Sequence, residues 1–170
     1  VTDEQMATKY RPVGEVMERV LGQKITVRYV RDFRMLEDGM KNARFDLVIA
    51  RPSDYPARGL RDYGYNVVTT TQPDGHCLLV VKEDSPFKTL DEMKGKRFIL
   101  PEQIAYMTKF CLAELRDQGL PLTPGEVTFV REQGAIPFAL KNNLSHIGGI
   151  ASYSGVAGRL QKEGLRVLHK

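Results

Sequence analysis

No apolar run in this 170-residue chain approaches the ~20 residues that cross a bilayer, so nothing in it reads as a membrane span. No signal peptide is visible and the first residue is Val rather than Met, so the chain reads as a mature or trimmed segment. Cysteine is nearly absent: two residues, Cys77 and Cys111, cannot make a disulfide framework. Cys77 falls in a predicted strand, and Cys111 shares a helix face with Met107 and Leu115. The pair is read as two small buried hydrophobes, with a disulfide or a soft ligand site as alternatives, and the redox compartment stays open. The chain also lacks a G-x-S-x-G elbow, a P-loop and a G-x-G-x-x-G turn, and Gly148-Gly149 alone does not make a nucleotide site. His76, His146 and His169 share no metal-ligand spacing, and His146 at a strand start reads as structural. These absences argue against an enzyme, a metal centre or a cofactor. Charge of one sign is missing too: 25 Lys and Arg face 21 Asp and Glu, scattered and netting +4. That balance suits a small anionic ligand and disfavours nucleic acid, which calls for a concentrated basic stripe.

What is present is a 42% apolar chain whose helical and strand patterns alternate over short loops, with no repeats or low-complexity segments. Residues 2–21 predict a helix, with a Thr2/Gln5 capping box, an apolar face at Val13, Val16, Met17 and Val20, and Gly22 to end it. Strand 25–30, turn Arg31-Asp32, helix 33–42 and strand 45–50 then predict a βαβ unit. A short helix over 53–60, a strand over 65–71 and the turn Gln72-Pro73-Asp74-Gly75 follow. Strand 76–82 is almost continuously apolar. Thr89 and Glu92 cap a short helix ending at Gly95, and strand 97–100 comes next. Helix 104–118, strand 127–130, helix 135–142, strand 146–150, helix 152–161 and strand 165–168 complete the order. A lobe of this kind normally begins with a strand. A chain that starts on a helix and stops on strand-like RVLHK therefore reads as cut from something longer at both ends.

Four segments, in this order, resemble a known family. They are VRYVRDFRMLEDGMKNARFDLVIARPSDYPA, HCLLVVKEDSPFKTLDEMKGKRFILP, MTKFCLAELRDQGL and VTFVREQGAIPFALKNNLSHIGGIASYSGVAGRL. The family is that of the phosphate, phosphite and phosphonate substrate-binding proteins of ABC transporters, with the class II periplasmic fold. The TLDEMKGK run is the most telling, a capped short helix ending at Gly that feeds a strand. The resemblance implies an α/β fold of two lobes, each a mainly parallel sheet flanked by helices. Lobe one would hold residues 1–75 with a C-terminal return at about 165–170, and lobe two residues 76–164. Hinge crossings are expected at 69–77 and 165–170. It further implies a periplasmic protein that captures a small solute, an oxyanion or organic acid, for a membrane permease or a sensor kinase, without entering the membrane. The other reading is the ligand-sensing effector domain of a transcriptional regulator. Phosphonate itself is not implied. Where phosphonate binders carry Ser-Thr-Ser-Gly, this chain has Gln103-Ile104-Ala105-Tyr106. It also has Glu132-Gln133 in place of a His-Asp pair, and His146 in place of an Asp.

In open α/β sheets, ligands bind beyond the carboxyl ends of strands and often at helix N-termini, which selects the candidate residues. Arg31 and Asp32 follow the first predicted strand, where Asp32 is also a natural N-cap. Arg51, Pro52 and Ser53 follow the second, uniting a guanidinium fork with a helix start, and Tyr55 supplies an aromatic wall. On the other lobe, Gln103 and Tyr106 open the most regular helix, and Gln133 opens the next. Ser152, most simply a cap, and Tyr153 follow strand 146–150.

Overall fold

The computed structural model describes residues 2–51 and 53–170, so Pro52 lies outside the described residues. The chain divides into two units: residues up to Ile49 with Arg58–Tyr65, and Ala50–Ala57 with Asn66–Lys170.

In the second unit the apolar run after His76 forms strand β1 (Cys77–Lys82), and Phe98–Pro101 forms β2. Helix α4 (Tyr106–Asp117), β3 (Val127–Val130), α5 (Ala135–Lys141), β4 (Ile147–Ala151) and β5 (Leu165–His169) follow. The five strands make one sheet in the order β3-β2-β4-β1-β5. β2 runs parallel to β3 and β4, while β1 is antiparallel to both β4 and β5. The sheet is therefore mixed where a mainly parallel one was expected, with β1 alone reversed. Residues 165–169, expected to return to lobe one, are the edge strand beside β1.

Side chains alternate across this sheet, and both faces are covered, which is why its strands read as unbroken apolar runs. Leu79, Val81, Phe98 and Leu100 pack on one face against Met107, Cys111 and Leu115 of α4. Leu78, Val80, Ile99 and Ile150 pack on the other against Ile136, Ala139 and Leu140 of α5. Each fully buried Leu or Ile contributes roughly 1.5–3 kcal/mol. The pair Gly148-Gly149 has a packing cause. A Cβ on Gly148 would lie 2.4 Å from Ile136 Cγ2, and one on Gly149 would lie 2.5 Å from Leu100 Cδ2 and 3.0 Å from Cys111 Sγ. Bare backbone lets a helix press close on each face of β4.

The cysteines are not free hydrophobes. Cys77 and Cys111 form a disulfide with their Cα atoms 5.3 Å apart, tying the start of β1 to the middle of α4. Two expected helices shrink. Residues 152–161 hold turns and a 3-10 turn at Ala157–Arg159, because Gly155 and Gly158 interrupt the stretch. The segment after Thr89 is a 3-10 turn at Asp91–Met93, where Glu92 Oε2 accepts the backbone N–H groups of Lys88 and Thr89.

The first unit is helical. α1 (Asp3–Leu21) begins at the expected capping box, with Gln5 N donating to Thr2 Oγ1 at 3.2 Å and Thr2 N to Gln5 Oε1 at 3.0 Å. It ends at Gly22, whose φ of 64° suits glycine. α2 (Phe33–Lys41) packs so closely that a Cβ on Gly39 would sit 1.9 Å from the Phe45 ring. α3 spans Asp54–Asp62, of which Arg58–Asp62 belong to this unit. Glu37 of α2 accepts from Arg58 and from Tyr63, both at 2.9 Å, and these bonds hold its carboxyl below the usual range, Arg58 most strongly. The expected strands 25–30 and 45–50 here, and 65–71, form no ladder among the described residues. Val27, Leu47, Ile49, Val67 and Val68 are accordingly exposed. β-branched, alternating sequence favours a pleated surface, but only a neighbouring strand's hydrogen bonds make one.

Candidate functional site

Because β2, β3 and β4 are parallel, their carboxyl ends and the loops that follow gather at one edge of the sheet. Gln103 lies exposed in the turn between β2 and α4. Gln133 lies in the turn after β3, and its Oε1 accepts the Ala151 N–H at 3.0 Å, fixing the end of β4. Ser152 and Tyr153 follow β4. The reversal of β1 brings its first residues to the same edge. His76 N donates to Ser152 Oγ at 3.1 Å, and Ser152 N donates to the His76 carbonyl at 3.0 Å. The Ser152 hydroxyl is thus a clasp on the opposite strand rather than a helix cap. Tyr153 lies over Gly75 so closely that a Cβ there would sit 2.4 Å from its ring. Burial pushes the Tyr153 phenol above its ordinary value, partly offset by the positive charge of Arg51, so the hydroxyl stays a neutral donor.

The segment 50–57 joins this edge. Ser53 pairs in an isolated antiparallel bridge with Ala105, the residue before α4. Next to it, Asp54 accepts from Lys109 Nζ at 2.5 Å, and the same ammonium lies 5.1 Å from the Tyr106 ring centroid. Tyr106 meets Phe110, one turn along, at 6.4 Å and a 53° tilt. Ala105 leaves the first turn of α4 without a side-chain cap. Ser53 is almost completely buried, and its Oγ has no hydrogen-bond partner among the described residues. Arg51 is exposed and makes no ion pair among the described residues, and Tyr55 is half-buried in the first turn of α3.

Of the residues expected at a site, Arg51, Ser53, Tyr55, Gln103, Tyr106, Gln133, Ser152 and Tyr153 therefore belong to the second unit. Pro52 lies outside the described residues. Arg31 and Asp32 belong to the first unit. Arg31 Nε is engaged by Asp3 at 2.9 Å, and Asp32 caps α2 through the N–H groups of Arg34 and Met35. The sequence reading missed Asp54, Lys109 and the Gly75-His76 pair. Lys109 stands three residues after Tyr106 on the same helix face, a legible signal. His76 was not legible, because its place depends on β1 running antiparallel to β4. No group of three or more His, Cys, Asp or Glu among the described residues could hold a metal ion. No described helix is long and apolar enough to cross a membrane.

The family model for the periplasmic substrate-binding protein of phosphonate ABC transporters matches residues 1–170. The chain belongs to this family. Solved structures of transporter binding proteins carry the same fold at low identity. A binding component of an ABC phosphonate transporter from Pseudomonas aeruginosa aligns with a TM-score of 0.65 at 16% identity, over 99% of this chain and 61% of its own length. The aliphatic sulphonate binding protein of Escherichia coli aligns at 0.64 and 20%, over 94% and 54%. The binding protein of an amino acid ABC transporter aligns at 0.58 and 18%, over 94% and 65%. The chain thus spans less than two thirds of each of these proteins. No curated protein sequence matches it. In family terms the α/β architecture is the class II periplasmic-binding-protein fold.

Proposed function

We propose that this chain is the solute-capturing component of an ABC transporter, holding a small anion at the carboxyl edge of its sheet for delivery to a membrane permease or a sensor kinase. Arg51 carries the reading: it is an exposed guanidinium with no ion pair among the described residues, two positions before the Ser53–Ala105 bridge that brings its segment to the start of α4. Gln103, Gln133 and Ser152, drawn together by the parallel strands, supply the polar frame around it. The Cys77–Cys111 disulfide supports a periplasmic setting, since such bonds persist outside the reducing cytoplasm.

Titration calorimetry with a panel of small carboxylates, sulfonates and phosphonates tests this. Saturable one-to-one binding of at least one class is expected. Arg51→Ala should weaken it by about 1.5–3 kcal/mol, roughly ten- to hundredfold, through loss of a charge-assisted bond. No saturable binding across the panel, or an unchanged affinity in the variant, refutes the reading.

A further inference from the structure

We infer that residues 50–57 are a releasable strap, clasped to the second unit by the Asp54–Lys109 ion pair, which covers the first turn of α4 when docked and uncovers it when salt screens the pair. The strap is independent of the solute-binding reading, and its test needs no ligand.

The path of the chain sets the strap apart. The residues on either side, up to Ile49 and from Arg58, belong to the first unit, whereas Ala50–Ala57 belong to the second. Helix α3 runs through this boundary, so its first turn is strap and its remainder is not. The attachments of the strap are slight. The Ser53–Ala105 bridge is isolated and extends into no ladder. The Asp54–Lys109 pair closes to 2.5 Å but is open to solvent, its side chains 35% and 47% exposed. Pairs of this kind hold weakly and lose their attraction as salt rises.

The docked state also carries a cost. Ser53 Oγ is buried with no hydrogen-bond partner among the described residues, a penalty that water removes once the strap lifts. Both ions, moreover, keep a favourable setting after parting. Lys109 Nζ already lies 5.1 Å from the centroid of the Tyr106 ring, which continues to attract it when Asp54 has left. Asp54 stands in the first turn of α3, where the N–H groups of a helix start favour a carboxylate. Docked and released states are therefore close in free energy, and one half-exposed ion pair decides between them.

Both native cysteines are in the disulfide, so Ser53→Cys carries a single free thiol, sealed while the strap is docked. Its alkylation by N-ethylmaleimide, an uncharged reagent, reports release. Labelling of the folded protein should be about tenfold or more slower than in urea. Raising sodium chloride from about 20 mM to about 500 mM should speed it about threefold or more. Adding Asp54→Asn should give the fast rate at low salt and remove the salt dependence. Hydrogen exchange over residues 50–57 checks the strap with Ser53 in place. Salt should accelerate that exchange too, while Ser53→Ala should slow it about fivefold or more by deleting the orphan hydroxyl. Exchange in β1 should stay unchanged throughout. The inference is overturned if the thiol labels as fast folded as in urea, if salt or Asp54→Asn leaves the rate unaltered, or if Ser53→Ala exchanges no slower than the native chain. Equal acceleration in β1, the mark of global unfolding, overturns it as well.

Discussion

Deleting the disulfide isolates how much of this fold depends on one covalent tie. Cys77 and Cys111 are 34 residues apart in sequence, and both are buried. In the chain-entropy treatment, closing a loop of that length removes about 12.6 cal/mol/K from the unfolded ensemble, or about 3.8 kcal/mol at 25 °C. Alanine is the right replacement, because a serine hydroxyl against Leu100 and Leu115 would add a burial penalty of its own. Two deleted sulfur atoms leave small voids that add on the order of 1 kcal/mol. The double variant Cys77→Ala/Cys111→Ala should therefore lose about 4–5 kcal/mol. With a urea m-value of about 2 kcal/mol/M, the midpoint should fall by roughly 2 M. Urea titration followed by far-ultraviolet circular dichroism, with and without reductant, measures this. The native protein in reductant should approach the variant, and the variant should ignore reductant. A loss below about 1 kcal/mol would refute the argument that the link constrains the unfolded chain.

Gly149→Ala should cost about 1–3 kcal/mol in the same assay, because its Cβ would sit 2.5 Å from Leu100 Cδ2 and 3.0 Å from Cys111 Sγ, both fully buried, and an unchanged midpoint would contradict that packing. His146 titrates below 6.5 because burial disfavours its imidazolium, with repulsion from Arg97 and Lys96 adding to the effect. The unfolded chain therefore takes up the proton at higher pH than the folded one, so this contribution to stability is full above about pH 6.5 and is lost as pH falls below it. In the folded chain the neutral Nδ1 accepts the Arg97 N–H at 3.1 Å. His146→Asn should flatten the stability slope measured between pH 7 and pH 5, and an unaltered slope removes His146 from the account.

Legibility in the sequence followed the range of the interaction. The Thr2/Gln5 box, the Gly22 stop, the Asp32 cap and the spacing of Met107, Cys111 and Leu115 act within a few residues, and α1, α2 and α4 lie where they predict. The strand ends carrying Gln103, Gln133 and Tyr153 were legible for the same reason, since a strand that stops at a polar loop announces its end. Partnership across the fold was not legible. The alternating apolar segments at 25–30 and 45–50 look like strands, yet no described neighbour pairs with them in a ladder, and Val27, Leu47 and Ile49 face solvent. Cys77 and Cys111 looked like ordinary buried residues because neither residue's local sequence records the other's position.

The local code of this chain, short-range caps, glycine stops and apolar periodicity, determined where α1, α2 and α4 lie and which residues close the strands of the second unit. Tertiary structure alone decided the rest. It reversed β1, and the reversal set His76 against Ser152 and closed the disulfide. It set Ser53 beside Ala105 with its hydroxyl unpaired, and spent Lys109 on Asp54. Caps and periodicity are satisfied by neighbours in sequence, so they can be read there. Strand direction, buried pairing and the balance of charge at the sheet edge depend on which distant segments meet once the chain has packed.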